Sequence, residues 1–316
     1  MEDGDMLANA AVVFPGMGPT RFADAGKFLL LDPVARRLLE RADKRLGYSL
    51  MDEWYGMEGD YSEYAQVAFF VSCLAMAEWA ERELGVRPGV CVGASFGERP
   101  AAVHAGSLSF EDGVWMTAAL ARCIDAYFAE QHGDVVTQSL ARTPRAGLEE
   151  ALHKLAERGE WYDISGHLDD DFHMVSVRER NLGWLEEAVR RLGGLPLYAM
   201  RPPMHSRLFE DLGFRAEEEV LDRLAFEPPV LPLVLAQGGD VVRSADGVRA
   251  ALAASFVSLL DWPAALTTLR QLGTETLCVS GPDSLFSRLS STTNGFQVIT
   301  ASPLNVLRPR RQPTTS

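Results

Sequence analysis

The segment Gly93-Ala94-Ser95-Phe96-Gly97 constrains the fold of this chain more than any other part of the sequence. It has the pattern Gly-x-Ser-x-Gly, and it lies between a short apolar run at residues 89–93 and a helical pattern at residues 98–105. A serine at a sharp strand-to-helix turn has a strained backbone, and the residues two positions away must lack side chains so that the chain can fold back closely. The pattern therefore predicts that Ser95 is a nucleophile raised above a sheet, at the positive end of a helix dipole. The backbone N–H of Phe96 is then placed to stabilise an oxyanion.

Strand and helix patterns alternate along most of the chain, which predicts a mainly parallel sheet covered by helices on both faces. The middle of the chain has a different rhythm, because residues 135–200 follow the order strand, helix, strand, strand, helix, strand. That order is the ferredoxin-like unit. We therefore predict an α/β chain with an α/β-hydrolase-like core formed by residues 1–132 and 204–316. A small ferredoxin-like (βαββαβ) subdomain is inserted at residues 133–203.

A serine at its ordinary pKa is a weak nucleophile and needs a general base. Among the six histidines, His205 is the strongest candidate, because it lies in the run Arg201-Pro202-Pro203-Met204-His205-Ser206. The two prolines stiffen a loop between the inserted unit and the next predicted helix, at residues 206–224. A rigid loop at such a junction is a suitable place to hold a catalytic side chain. The sequence thus pairs Ser95 with His205.

The composition narrows the classes of partner. A net charge of −14 disfavours nucleic acid, since phosphate binding needs a basic face. No apolar run reaches the roughly 18 residues that a membrane helix requires. The four cysteines are far apart and form no metal-binding pattern, which is typical of buried thiols in a reducing compartment. We expect a soluble, cytoplasmic protein with no metal site and with neither nucleic acid nor a membrane as partner.

Several short blocks occur in a characteristic order: Phe14-Pro15-Gly16-Met17-Gly18, Tyr64-Ala65-Gln66-Val67-Ala68, Gly93-Ala94-Ser95-Phe96-Gly97-Glu98, Met204-His205-Ser206 and Ser280-Gly281-Pro282. In these blocks the chain resembles the malonyl-transferase-type acyltransferases of fatty-acid and polyketide synthesis. The resemblance extends from about residue 10 to about residue 290.

The resemblance implies a ping-pong mechanism in which Ser95 attacks a thioester, His205 takes its proton, and the acyl-serine then passes to a second thiol. It implies an oxyanion hole made by the backbone N–H groups of Met17 and Phe96. It also implies that a backbone carbonyl orients the histidine, and alignment assigns this carbonyl to Ser255. The acyl pocket is expected to include three side chains: Gln66, Leu120 and Met204.

One departure from the family bears on the substrate. Malonyl-specific members carry an arginine about 25 residues after the serine, and this chain has the apolar Leu120 there. Arg122 lies two positions further along the helix, about 200° away around its axis. Without a buried cation, a malonyl carboxylate would be desolvated and unpaired, which costs several kcal/mol. We therefore expect an acyl group that lacks a terminal carboxylate near Ser95.

The blocks around Met17 and His205 resemble those of the standalone transacylases of macrolactam antibiotic pathways. This subgroup implies transfer of an amino-protected β-aminoacyl (dipeptidyl) group. The donor is a discrete acyl carrier protein and the acceptor is the loading carrier domain of a polyketide synthase. No cofactor is bound, because the substrates arrive on the phosphopantetheine of acyl carrier proteins. Arg145, Arg201 and Arg308 are expected to contact the acidic carrier protein.

Three other functions stay open on the sequence. The first is an acyl-CoA:carrier-protein transferase for a neutral starter unit, although no block marks a site for the nucleotide's 3′-phosphate. The second is an editing hydrolase that admits water to the acyl-serine. The third is a catalytically inactive carrier-binding protein, which the retention of Ser95 and His205 disfavours.

Overall fold

A computed structural model of the chain describes residues 9–57 and 59–307. Its strands are β1 (Ala10–Phe14), β2 (Pro88–Gly93), β3 (Val135–Ala141), β4 (Tyr162–Asp169), β5 (Phe172–Arg178), β6 (Leu195–Met200), β7 (Leu233–Leu235), β8 (Val241–Val242), β9 (Leu260–Asp261), β10 (Thr276–Ser280) and β11 (Gln297–Ala301). Its α-helices are α1 (Phe22–Leu31), α2 (Pro33–Leu46), α3 (Leu50–Tyr55), α4 (Glu63–Glu83), α5 (Glu98–His104), α6 (Phe110–Glu130), α7 (Arg145–Glu157), α8 (Leu182–Arg191), α9 (Glu210–Glu219), α10 (Ala245–Ala254), α11 (Trp262–Gln271), α12 (Ser290–Thr293) and α13 (Pro303–Val306).

The larger sheet has the strand order β11-β10-β1-β2-β7-β8. All neighbours pair in parallel except β7 and β8, which are antiparallel. The central strands β1 and β10 are buried along their whole length, as expected for parallel strands covered on both faces. The predicted mainly parallel sheet is confirmed.

The smaller sheet has the order β6-β3-β5-β4-β9. Its first four strands are antiparallel neighbours, and with α7 and α8 they complete the predicted βαββαβ unit. The fifth strand, β9, pairs in parallel with β4 and comes from residues 260–261. The small sheet therefore receives a strand from outside residues 133–203, and the proposed division into two subdomains stays a prediction.

The helices that cover the large sheet show why this sequence folds locally as it does. In α2 the Asp32 carboxylate accepts the backbone N–H groups of Val34 and Ala35, and Gly47 ends the helix in a left-handed conformation. In contrast, α4 is apolar on nearly all sides and is buried along most of its length between α2, α6 and the sheet. Within the described ranges, no helix combines the length and the apolar character needed to span a bilayer.

Candidate active site

The strand-to-helix turn at Ser95 is built as the glycine spacing predicts. Strand β2 ends at Gly93, a single 3₁₀ turn covers Ser95–Gly97, and α5 begins at once. Ser95 has a φ of 54°, in the left-handed region that a non-glycine residue rarely adopts. A Cβ added at Gly93 would lie 2.4 Å from the Glu98 nitrogen, and one at Gly97 would lie 2.0 Å from the Phe14 carbonyl oxygen. Both positions therefore require glycine.

Ser95 and His205 lie in hydrogen-bonding contact, 110 positions apart in sequence. The Ser95 Oγ is 2.7 Å from His205 Nε2, and His205 Nδ1 is 3.0 Å from the carbonyl oxygen of Ser258. A carbonyl oxygen only accepts, so Nδ1 carries the hydrogen and Nε2 is left as the acceptor for the serine hydroxyl. This tautomer is the one that a general base requires.

The burial of His205 keeps the imidazole neutral. The side chain is 2% exposed, and burial lowers its pKa to about 4, against the opposing effect of the bond to Ser258. At neutral pH the ring is therefore free to accept a proton from Ser95.

Backbone contacts from the end of α10 hold the histidine in place. The N–H groups of His205 and Ser206 both donate to the carbonyl of Phe256, at 2.9 and 3.3 Å. On the other side, the Ser206 hydroxyl donates to Asp163 of β4 at 2.7 Å. The loop that carries the base is thus fastened both to the turn after α10 and to the small sheet.

The assignment of the orienting carbonyl to Ser255 was wrong, since Ser258 provides it. Helix α10 ends at Ala254, and Ser255 is the residue that follows it. The N–H groups of Val257 and Ser258 turn back to the Ala254 carbonyl, and the carbonyl that reaches His205 Nδ1 is that of Ser258, three residues after Ser255. Ser255 instead bonds its own hydroxyl to Leu252 O and lines the cavity beside His205.

Two cavities meet at Ser95. The first, here called the inner cavity, measures about 70 Å³ and is lined by Met17, Gln66, Ser95, Phe96, Arg99, Ile124, Met204, His205 and Phe256, among others. The second, here called the outer cavity, measures about 270 Å³ and is lined by Met17 and Ser95 together with Phe172 and Tyr198 of the small sheet and with Phe286. The nucleophile therefore reaches an apolar recess on one side and the cleft beside the small sheet on the other. Met17 and Phe96 flank it, and the use of their N–H groups as an oxyanion hole stays a prediction.

Gln66 and Met204 line the inner cavity, as expected of the acyl pocket, but Leu120 does not. Leu120 is 1% exposed and packs in the main core, and the residue of α6 that reaches the cavity is Ile124, one helical turn further on. Counting 25 positions from Ser95 therefore identified the correct face of α6 but chose Leu120, one turn before the residue that lines the cavity. Arg122 points away, as its rotation predicted, and pairs with Glu63 near the surface.

The structure also reveals a residue that the sequence analysis missed. Arg99, in the first turn of α5, is only 7% exposed and lines the inner cavity. Its Nη1 donates to Gln66 Oε1 at 3.0 Å, and its guanidinium carbon lies 4.5 Å from the centre of the Phe96 ring. The assumption that no buried cation lies near Ser95 was therefore wrong. The available signal was an arginine just after Gly97-Glu98, in a helix that is otherwise largely apolar.

Two of the three arginines expected to contact a carrier protein lie within the described residues. Arg145 and Arg201 are both well exposed, and they pair with Glu149 and Glu179, respectively. Arg308 lies outside the described residues. Carrier contact through these three residues stays a prediction.

Comparisons with known proteins agree with this geometry. Residues 139–200 match the family model of the VinK acyltransferase small domain. The chain is 25% identical over 297 residues to the malonyl CoA-acyl carrier protein transacylase of Bacillus subtilis (strain 168), covering 91% of each chain.

Solved structures share the fold at lower identity. The malonyl-CoA:acyl carrier protein transacylase of Xanthomonas oryzae pv. oryzae superposes with a TM-score of 0.82 at 20% identity, covering 95% of this chain and 96% of that one. A malonyl-transacylase in complex with a type II polyketide synthase acyl-carrier protein gives 0.80 at 20% identity, covering 93% and 95%. These likenesses extend over nearly the whole described chain.

Proposed function

We propose that this chain, a serine acyltransferase related to the malonyl CoA-acyl carrier protein transacylases, moves a non-malonyl acyl group between two acyl carrier proteins in polyketide biosynthesis. The acyl group is a dipeptidyl or β-aminoacyl unit. The donor is a discrete carrier protein and the acceptor is the loading carrier domain of a polyketide synthase. Both hold the acyl group as a thioester on phosphopantetheine, so no resident cofactor is needed, and the reaction is cytoplasmic.

The contact between Ser95 Oγ and His205 Nε2 carries the proposal. Ser95 attacks the thioester carbonyl while Nε2 accepts its proton, and the imidazolium then gives that proton to the departing thiol. In the second half-reaction the acceptor thiol loses its proton to Nε2 and attacks the acyl-serine, and the imidazolium returns that proton to the Ser95 oxygen as the acyl–oxygen bond breaks. Ser258 O keeps the imidazole in one tautomer throughout, and no carboxylate is required.

Two observations support a non-malonyl acyl group. The segment 139–200 matches the family model of the VinK acyltransferase small domain. The position of α6 that faces the cavity is the apolar Ile124, so the arginine of malonyl-specific members has no equivalent on this helix. Met200, Met204 and Leu252 add further hydrocarbon to the lining, and the cation in it is Arg99 of α5.

Intact-mass measurement over time provides the test. The protein is incubated with a carrier protein bearing a dipeptidyl thioester, and an unacylated second carrier is then added. We expect an adduct on the enzyme that is lost in Ser95→Ala, followed by the same mass increase on the second carrier. His205→Ala is the matched variant, which keeps the nucleophile and should form the adduct at least 100-fold more slowly.

The alternatives give different masses. Free acid in place of acylated acceptor indicates an editing hydrolase, and labelling from the coenzyme A thioester alone indicates a starter-unit transferase. An enzyme that never gains mass from any donor is catalytically inactive. Exclusive labelling by malonyl thioesters would refute the proposed acyl group while leaving acyl transfer intact.

A further inference from the structure

Arg99 is a buried cation in the acyl-binding recess, and among the described residues no carboxylate forms a salt bridge with it. Its one protein hydrogen bond in the described part of the chain is to the neutral amide of Gln66. A guanidinium carries five N–H donors, so most of them have no protein acceptor. Burial of such a group is costly unless acceptors satisfy it, and here burial lowers its pKa to about 10.

The surroundings hold Arg99 in a defined orientation. Gln66 is itself fixed, because its Nε2 donates to the Tyr61 carbonyl at 2.8 Å while its Oε1 accepts from Arg99. The guanidinium lies against the Phe96 ring, a contact that orders it further. Both neighbours line the inner cavity, so the free donors lie at the wall of the recess that opens on Ser95.

The neighbouring Glu98 is a second unsatisfied group in the same lining. Its Oε1 accepts from the Gln237 amide, and its buried Oε2 has no hydrogen-bond partner. Burial raises the pKa of this carboxyl, against the opposing effects of the Gln237 hydrogen bond and of the Arg99 charge. Glu98 and Arg99 thus both line the inner cavity, and each keeps hydrogen-bonding capacity that no described residue takes up.

We propose that Arg99 is a specificity-determining residue whose free N–H donors bind an oxygen acceptor on the acyl group. An acyl chain that extends from Ser95 along Ile124 and Met204 would meet apolar side chains first and this donor at the wall. Under the proposed function, on which this step rests, the acceptor is the amide carbonyl of a β-aminoacyl or dipeptidyl unit. Arg99 already binds an acceptor of that kind in Gln66. A malonyl carboxylate offers the same chemistry, so the test must separate the two.

The test compares three carrier-bound acyl groups in wild type and in Arg99→Met. N-Acetyl-β-alanyl has an amide, hexanoyl has the same chain length without one, and malonyl has a carboxylate. The readout is kcat/KM for formation of the acyl-serine. We expect Arg99→Met to lower the value for N-acetyl-β-alanyl by about 10- to 100-fold, the range for losing a hydrogen bond to a charged group. The value for hexanoyl should change by less than about threefold.

Arg122→Met is the matched control, because it removes an arginine of α6 that pairs with Glu63 and does not line the cavity. It should change none of the three values by more than about twofold. Arg99→Lys keeps the charge but loses the planar fork, and should show a smaller loss that is again confined to the amide substrate. Labelling of Ser95 by a fluorophosphonate and thermal melting identify any variant that fails to fold. If Arg99→Met does not fold, the substrate preference of Arg99→Lys tests the proposal instead.

An equal change for all three acyl groups, or no change for any, would overturn the assignment of Arg99. A loss confined to malonyl would support Arg99 as the anchor and would overturn the non-malonyl acyl group of the proposed function. Wild-type enzyme that accepts hexanoyl but not N-acetyl-β-alanyl would overturn that proposed substrate class directly.

Discussion

Acidification should stop acylation of Ser95 only near pH 4, far below the range in which an ordinary histidine titrates. An exposed histidine has a pKa of about 6.5, whereas burial lowers that of His205 to about 4. The imidazolium cannot accept the serine proton, so the rate should follow the neutral fraction of the ring. We expect kcat/KM for acylation to be flat from pH 8 to pH 5 and to fall about tenfold per pH unit below 4.

The same depressed pKa links folding stability to pH. Between about pH 4 and pH 6.5 the unfolded chain holds a proton on His205 that the folded protein does not, so stability rises with pH in this window. The contribution is fully present above pH 6.5 and is lost as the pH falls towards 4. The difference between a pKa of 6.5 and one of about 4 corresponds to about 3 kcal/mol, at 1.36 kcal/mol per pH unit.

The assay combines single-turnover acylation with denaturant unfolding. A small thioester serves as the acyl donor, because a carrier protein would precipitate in acid. The acyl-serine is measured by the intact mass of quenched samples between pH 3.5 and pH 8. Unfolding free energies of wild type and His205→Gln are compared over the same range, which cancels other groups such as the buried His104. An acylation midpoint near pH 6.5, or parallel stability curves for the two proteins, would refute the reasoning.

Two pairs of substitutions test the rest of the site. Ile124→Arg adds a cation to the inner cavity and should raise malonyl transfer relative to hexanoyl by about tenfold in competition assays. Leu120→Arg instead buries an unpaired charge in the core, and should lower the unfolding free energy by several kcal/mol without changing that ratio. Gly97→Ala should abolish fluorophosphonate labelling, because its Cβ would lie 2.0 Å from Phe14 O. Gly89→Ala meets no atom within 4 Å and should label normally; equal labelling of the two variants would contradict the close approach at the turn.

The fold could be predicted from the sequence where the hydrophobic pattern was long or where the structure tolerates only one residue type. The apolar run at residues 89–93 lies within β2, and the strand and helix patterns at residues 135–200 gave the complete ferredoxin-like order. The two-residue strands β8 and β9 are too short to show a period, so no pattern could reveal them. The edge strand β11 is only partly buried, and its mixed residues do not show the alternation of a half-buried strand.

The sequence predicted the two reacting side chains correctly, but it was less successful for the groups that orient them and line the cavity. Ser95 lies between two glycines that no other residue could replace, and this constraint can be read from the sequence alone. The supporting contacts depend on where α10 stops and on which turn of α6 faces the cavity, and both are set by tertiary packing. Sequence reasoning therefore chose Ser255 where the turn presents Ser258, and Leu120 where the cavity meets Ile124.

The way in which His205 is held also bears on the choice between a thiol and water as acceptor. Among the described residues its ring nitrogen Nδ1 bonds a neutral carbonyl and not a carboxylate, and burial lowers its pKa, so the neutral imidazole is a weak base. A thiol with a pKa of about 8.5 gives up its proton to such a base far more readily than water with a pKa of 15.7. This difference of about seven pKa units favours attack on the acyl-serine by a carrier thiol over attack by water. We therefore expect the acyl-enzyme to persist for minutes or longer in buffer and to discharge promptly once a phosphopantetheine thiol is added.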